Sequence, residues 1–189
     1  MKLPELSLFC GLALLAGQAP AQAAPNDLPA LFGPRVVAPA RFPTPVVVGD
    51  FDGDGLPDQA YLVTIKAGSA TAKLAPDVTV NDKAFGVEPL GENAEDLALA
   101  IVPGSGKNKT LLPGYQGKDS SDFFGSPMWA EAKPPLGLAK RGSKIFAEFK
   151  HDEKAIRYDV LVVGTEAGID MALYWTGKGY ALFAPDEEP

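Results

Sequence analysis

Along much of this chain, apolar residues recur at every second position, and a period of three or four is weak. In Gln59–Lys66, Tyr61, Val63 and Ile65 fall on one face, with Ala60, Leu62 and Thr64 on the other, the alternation of a β-strand. Pro45–Gly49 is a short β-branched run that predicts a strand just before it. Ala94–Val102 carries Leu97, Leu99 and Ile101 at period two. A short helix is the other reading there, but the terminal Ile-Val pair favours a strand. In the last third, Ser143–Lys150, Tyr158–Gly164, Ile169–Trp175 and Tyr180–Phe183 predict four strands of a meander, with Thr176–Gly179 as a tight turn. Ser126-Pro127 opens a short predicted helix through Ala132, with Ser as the N-cap and Pro at the first helical position. Residues 103–126 are rich in Gly, Lys and Ser and predict loop. The expected fold is mainly β: a small antiparallel sheet or sandwich-like domain with one or two short helices and a loop-bearing β-hairpin.

The N-terminus changes the picture of where the fold starts. Lys2 precedes an apolar run, Leu6–Ala16, and then Ala21-Gln22-Ala23, the pattern of a signal peptide with a small-x-small cleavage site. The run is shorter than the ~20 apolar residues of a membrane span. The expectation is a signal peptide over 1–23, a mature chain from Ala24, and no span after cleavage, hence an exported protein, periplasmic or secreted. Residues 24–43 form a Pro/Ala-rich leader or linker, and 44–189 a single β-rich domain. The single cysteine, Cys10, lies inside the apolar run, with Ser7 and Phe9 where a lipobox needs Leu and a small residue. Cleavage therefore leaves no thiol for a disulfide, a nucleophile or a zinc site, and an adequate core or a bound metal must stabilise the fold.

The net charge of −7 disfavours nucleic acid and suits divalent cations. One segment concentrates that charge. Asp50-Phe51-Asp52-Gly53-Asp54-Gly55-Leu56-Pro57-Asp58 places carboxylates at loop positions 1, 3, 5 and 9, with glycine at 6. Calcium takes six to eight oxygens at about 2.3–2.6 Å in flexible geometry. A curled loop aims alternate residues at one centre, which makes Asp50, Asp52, Asp54, the carbonyl of Leu56 and Asp58 the candidate ligands of a Ca2+ ion. Gly55 supplies the positive φ for the turn. Without a cation the four carboxylates repel one another. The alternative is a solvated acidic turn. An EF-hand is excluded, since Tyr61 stands where the bidentate Glu belongs and the flanks read as strands.

Val48–Val63 resembles the core of an FG-GAP (integrin-α-like, or VCBS) repeat: a strand, then G-D-F-D-G-D-G-x-x-D, then a strand. The resemblance implies the same ligands, Asp50, Asp52, Asp54, the Leu56 backbone and Asp58, with Phe51 as the buried aromatic of the loop. Such repeats close multi-bladed propellers. This chain has one good copy and is too short for a closed propeller. The stretch Phe149-Lys150-His151-Asp152 to Tyr158–Gly164 echoes the pattern with its acidic spacing lost and a longer separation. A compact sandwich, or one blade joined to a sheet, is the expected form.

Other candidate chemistry is sparse. His151, the single histidine, sits in the charged run 150–154, which reads as a solvated turn. Gly104-Ser105-Gly106-Lys107-Asn108 departs from a phosphate loop at Ile101 and Asn108. Glu131, Glu148, Asp159, Glu166 and Asp170 could supply a carboxylate pair for a hydrolase, but no spacing selects one. Tyr115, Phe123, Phe124, Trp129, Tyr174 and Trp175 could form a sugar-stacking surface, though β-rich domains usually bury such rings. No catalytic residue is assigned. The expected function is a non-enzymatic binding or envelope-associated module with calcium in a structural role and an unknown protein or glycan partner. The alternatives are a secreted hydrolase using buried carboxylates and a calcium-dependent carbohydrate binder.

Overall fold

A computed structural model describes residues 27–39, 47–66, 73–81, 96–113, 136–149, 156–164 and 170–183. The elements, in order, are α1 (Leu28–Phe32), β1 (Val36–Val37), β2 (Val47–Gly49), β3 (Asp58–Ile65), β4 (Val78–Val80), β5 (Asp96–Val102), β6 (Lys109–Pro113), β7 (Leu136–Ala139), α2 (Lys144–Glu148), β8 (Val160–Gly164), β9 (Asp170–Trp175) and β10 (Tyr180–Phe183). The protein is mainly β, as its alternation predicts. The expected signal peptide, the predicted helix Ser126–Ala132 and the charged run around His151 lie outside the described residues.

Two sheets form. The first is ordered β1-β3-β5-β6-β4 and the second β10-β9-β8-β7. β5 runs along one edge of β3, while β2 and β1 share the other: β2 pairs with Asp58–Ala60 and β1 with Thr64 and Ile65. All pairings are antiparallel except β4 with β6. The period-two faces explain how the sheets stack. Ala60 and Leu62 of β3 and Leu99 and Ile101 of β5 meet Leu161, Val163, Leu173 and Tyr180 of the second sheet in one buried cluster. The opposite faces of β3 and β5, through Tyr61, Val63, Ala98 and Ala100, pack on Leu28, Phe32 and Val36. The outer face of the second sheet, through Ala139, Val160 and Ala172, packs on Phe146 and Phe149. The result is a sandwich with a short helix on each outer face.

The segment expected to lie over the domain as a leader thus contributes three residues, Leu28, Phe32 and Val36, that are wholly shielded from solvent. α1 takes Pro29 in its first turn and ends at Gly33 (φ 111°), whose N–H donates to Pro29 O at 2.9 Å. A Cβ at Gly33 would lie 2.8 Å from the Lys73 carbonyl oxygen, so the close approach also requires glycine.

Two expectations need correction. Ser143–Lys150 is not a strand: Ser143 Oγ accepts from Phe146 N at 3.1 Å and caps α2. Phe146 and Phe149, three apart, then share one helical face toward the core, whereas Ile145 points to solvent. Residues 103–126 are not all loop, because Lys109–Pro113 is the fully buried strand β6. Its polar first residue masked the signal. The Lys109 ammonium is buried and paired with the half-exposed carboxylate of Asp77.

Candidate metal centre

The acidic loop joins β2 to β3 as a hairpin in which Gly49 faces Asp58. Asp58, the first residue of β3, has no exposed surface. Its Oδ2 accepts from the N–H groups of Phe51 (2.7 Å) and Asp52 (3.2 Å), and its Oδ1 accepts from Gly104 N (2.7 Å). One carboxylate thus ties the start of the loop to its end and to the turn between β5 and β6. Phe51 anchors the same stretch from below, its ring packed in the inter-sheet core and 1% exposed.

The rest of the loop curls on its own aspartates. Asp50 Oδ1 accepts from Gly53 N (2.8 Å) and Oδ2 from Gly55 N (3.2 Å). Asp52 Oδ1 accepts from Asp54 N (3.1 Å), and Asp54 Oδ1 from Leu56 N (2.7 Å). These are side-chain-to-backbone turns of the kind aspartate favours. Gly53 and Gly55 have φ of 79° and 83°, the left-handed region that glycine enters without strain. At Gly53 there is a second reason for glycine, since a Cβ would fall 2.1 Å from the Tyr158 ring.

A strap from the second sheet holds the loop's entrance. Asp50 N donates to Asp159 Oδ2 and Asp159 N donates to Asp50 O, each at 3.2 Å, while Asp159 Oδ1 accepts from Arg141 N at 2.8 Å. In the sequence, Asp159 stands out only as one of five carboxylates that could supply a hydrolase pair. Its position directly before a strand, next to Tyr158, gave no signal of contact with a loop 109 residues away.

Asp50, Asp52 and Asp58 each bring one carboxylate oxygen to within 4.8 Å of the others, a group that can hold a metal ion. Asp54, expected with them, stands outside that side-chain group and is exposed, as is Leu56, whose expected contribution is its backbone carbonyl. Burial, above all, lifts the Asp58 carboxyl to about 6, and the charge of Asp52 adds to the lift against three stabilising N–H groups. The Asp52 carboxyl is raised by burial and then by Asp54 and Asp50. Tyr180 also titrates above its ordinary range, through burial and then the charges of Asp58 and Asp52. Among the described residues, no lysine or arginine pairs with this group. The donors are all carboxylate oxygen, which suits a hard cation rather than a thiophilic one. The negative charge gathered here is what such an ion would offset.

No protein family, no curated protein and no solved structure matches the chain.

Proposed function

We propose that this is an exported calcium-binding protein of FG-GAP/VCBS type, in which Ca2+ staples the β2–β3 loop and the domain works by binding rather than by catalysis. The observation that carries the reading is the setting of Asp58. The fully buried Asp58 carboxylate lies within 4.8 Å of oxygens of Asp50 and Asp52, and among the described residues it has backbone N–H donors but no cationic side chain to offset the gathered charge, a cost that a bound cation would relieve. Asp50, Asp52 and Asp58 would hold the ion from their side chains. The family resemblance adds Asp54 and the Leu56 carbonyl, five ligand residues in all, which one bidentate carboxylate or a water would bring to the six to eight oxygens calcium takes.

The ion would supply charge neutralisation and a fixed loop conformation. Each of the three aspartates already spends an oxygen on backbone N–H groups, which points to a structural rather than a catalytic ion. Calcium outside the cell is abundant enough to fill a weak site, and the N-terminal signal pattern supports export to the periplasm or beyond.

The test is the melting temperature of the chain from Ala24 to Pro189, titrated with calcium, then EGTA, with magnesium as control. A rise specific to calcium is expected, growing with its concentration as binding to the native state requires. An unchanged melting temperature would leave the loop a solvated turn and end the proposal.

A further inference from the structure

A second concave site, lined by none of the loop aspartates, lies where the edge strands of the two sheets, as described, approach each other. β4 ends the first sheet and β10 the second. Between them opens a cavity of about 800 Å³, lined among others by Thr79, Asn81, Asn108, Thr110, Trp175 and Lys178, within the ~300–1,000 Å³ usual for small-ligand sites. Trp175 is half-buried, and its ring is tilted against Tyr180 at a centroid distance of 5.1 Å and 60°, so the indole is held in place while part of it faces the cavity.

The chemistry of the lining is selective. Among the described residues it holds three threonine hydroxyls and two asparagine amides, no carboxylate, and Lys178 as its one charged group. Neutral donors and acceptors beside an aromatic ring match a polyol: the C–H face of a pyranose packs on the ring while its hydroxyls bond to amides and threonines. A cluster of anionic groups would want more than one cation. A peptide added as a further strand on β10 would compete for the Tyr180 carbonyl, which already accepts from Asn81 Nδ2 at 2.6 Å. Asn108, held at φ 56°, marks the rim with an amide in a backbone conformation that few side chains adopt.

We propose that the groove between β4 and β10 binds a neutral saccharide, with the Trp175 indole as the stacking platform and Asn81, Asn108 and Thr110 as hydrogen-bonding partners. This deepens, and rests on, the reading of the chain as a binding module. Glycoside cleavage is not part of it: cleavage needs a carboxylate pair, and the described lining residues include none.

The experiment is an array of neutral glucan, mannan and galactan oligosaccharides probed with the whole mature chain in calcium and again in EGTA. Any hit is then titrated calorimetrically against wild type, Trp175→Phe and Asn108→Gly. The glycine variant keeps the left-handed backbone and removes only the amide. Binding to a neutral glycan that each variant weakens by about tenfold, with melting temperatures unchanged, is the expected result. No neutral-glycan binding at millimolar concentration, or binding untouched by both variants, overturns the proposal. Melting curves run alongside keep the two readings apart: calcium that raises the melting temperature while no glycan binds removes the groove proposal and leaves the metal site standing.

Discussion

Gly104 donates its backbone N–H to Oδ1 of Asp58 at 2.7 Å, joining the turn after β5 to the last residue of the acidic loop across 46 positions of sequence. The approach has no room for a side chain: a Cβ on Gly104 would lie 2.4 Å from Leu56 Cβ and 3.1 Å from the Pro57 carbonyl oxygen. Gly104→Ala therefore pushes the turn away from Asp58. Expected are a loss of about 1–3 kcal/mol in urea unfolding and a smaller calcium-induced rise in melting temperature. Unaltered values for both would show that the turn adjusts freely and that the Asp58 bond is dispensable.

Asp52 and Asp54 should separate in their effects. Asp52 belongs to the carboxylate group, and its charge raises the Asp58 carboxyl. Asp52→Ala should abolish most of the calcium-dependent melting shift while leaving stability in EGTA equal or slightly higher, because one like charge has gone. Asp54, exposed and outside the group, should weaken calcium binding by a smaller factor when changed to Ala. Calorimetric calcium titration of the two variants measures this, and the reverse ranking would move the ion toward the loop's outer end.

The Asp58 carboxyl gives the stability curve a sign. Its folded value of about 6 lies above its ordinary 3.8, so the native state holds the proton more tightly than the unfolded chain. Without divalent cations, this group's contribution is fully present below about pH 4 and is lost as pH rises toward 6, by about 2–3 kcal/mol. Asp58→Asn should remove that slope. Calcium should reverse it, because the ion competes with the proton and its affinity should climb from pH 4 to 6 and then level off. Denaturant melts of wild type and variant in EGTA across that range would decide it, since parallel curves would be incompatible with the assignment.

Asp159→Ala removes the acceptor for Asp50 N and for Arg141 N while the reciprocal bond to Asp50 O keeps its own donor. Two orphaned amides should cost on the order of 1–3 kcal/mol, with and without calcium alike. This insensitivity to the ion would distinguish a strap from a ligand. A loss seen only with calcium bound would make Asp159 part of the metal site.

How much of this was legible beforehand follows from the kind of interaction involved. β3 and β5 announce themselves by residues at period two, and β8, β9 and β10 by short runs of apolar and β-branched residues, as strands with burial on both faces do. The loop was legible because its ligand-type residues are contiguous. β6 was not, since Lys109 becomes core-compatible only through Asp77, 32 positions away. α2 reads as a strand because Ile145, Ala147 and Phe149 alternate, whereas the Ser143 cap starts a helix there. α1 hid in a proline-rich stretch whose burial depends on a sheet formed later in the chain. Asp159 and Gly104 act on the loop through the backbone, which leaves no trace in residue type.

The strap between Asp50 and Asp159 spans 109 positions and the Asn81–Tyr180 bond 99. Closing such distances is entropically late work in any folding route. The expectation is that the loop reaches its final shape only after the two sheets have docked, past the main barrier. Interactions that form after the barrier leave the refolding rate alone and retard unfolding. Under the calcium proposal the ion should behave as a latch on the finished molecule: stopped-flow traces should show an unchanged folding limb and an unfolding limb slowed by whatever stabilisation added calcium produces at equilibrium.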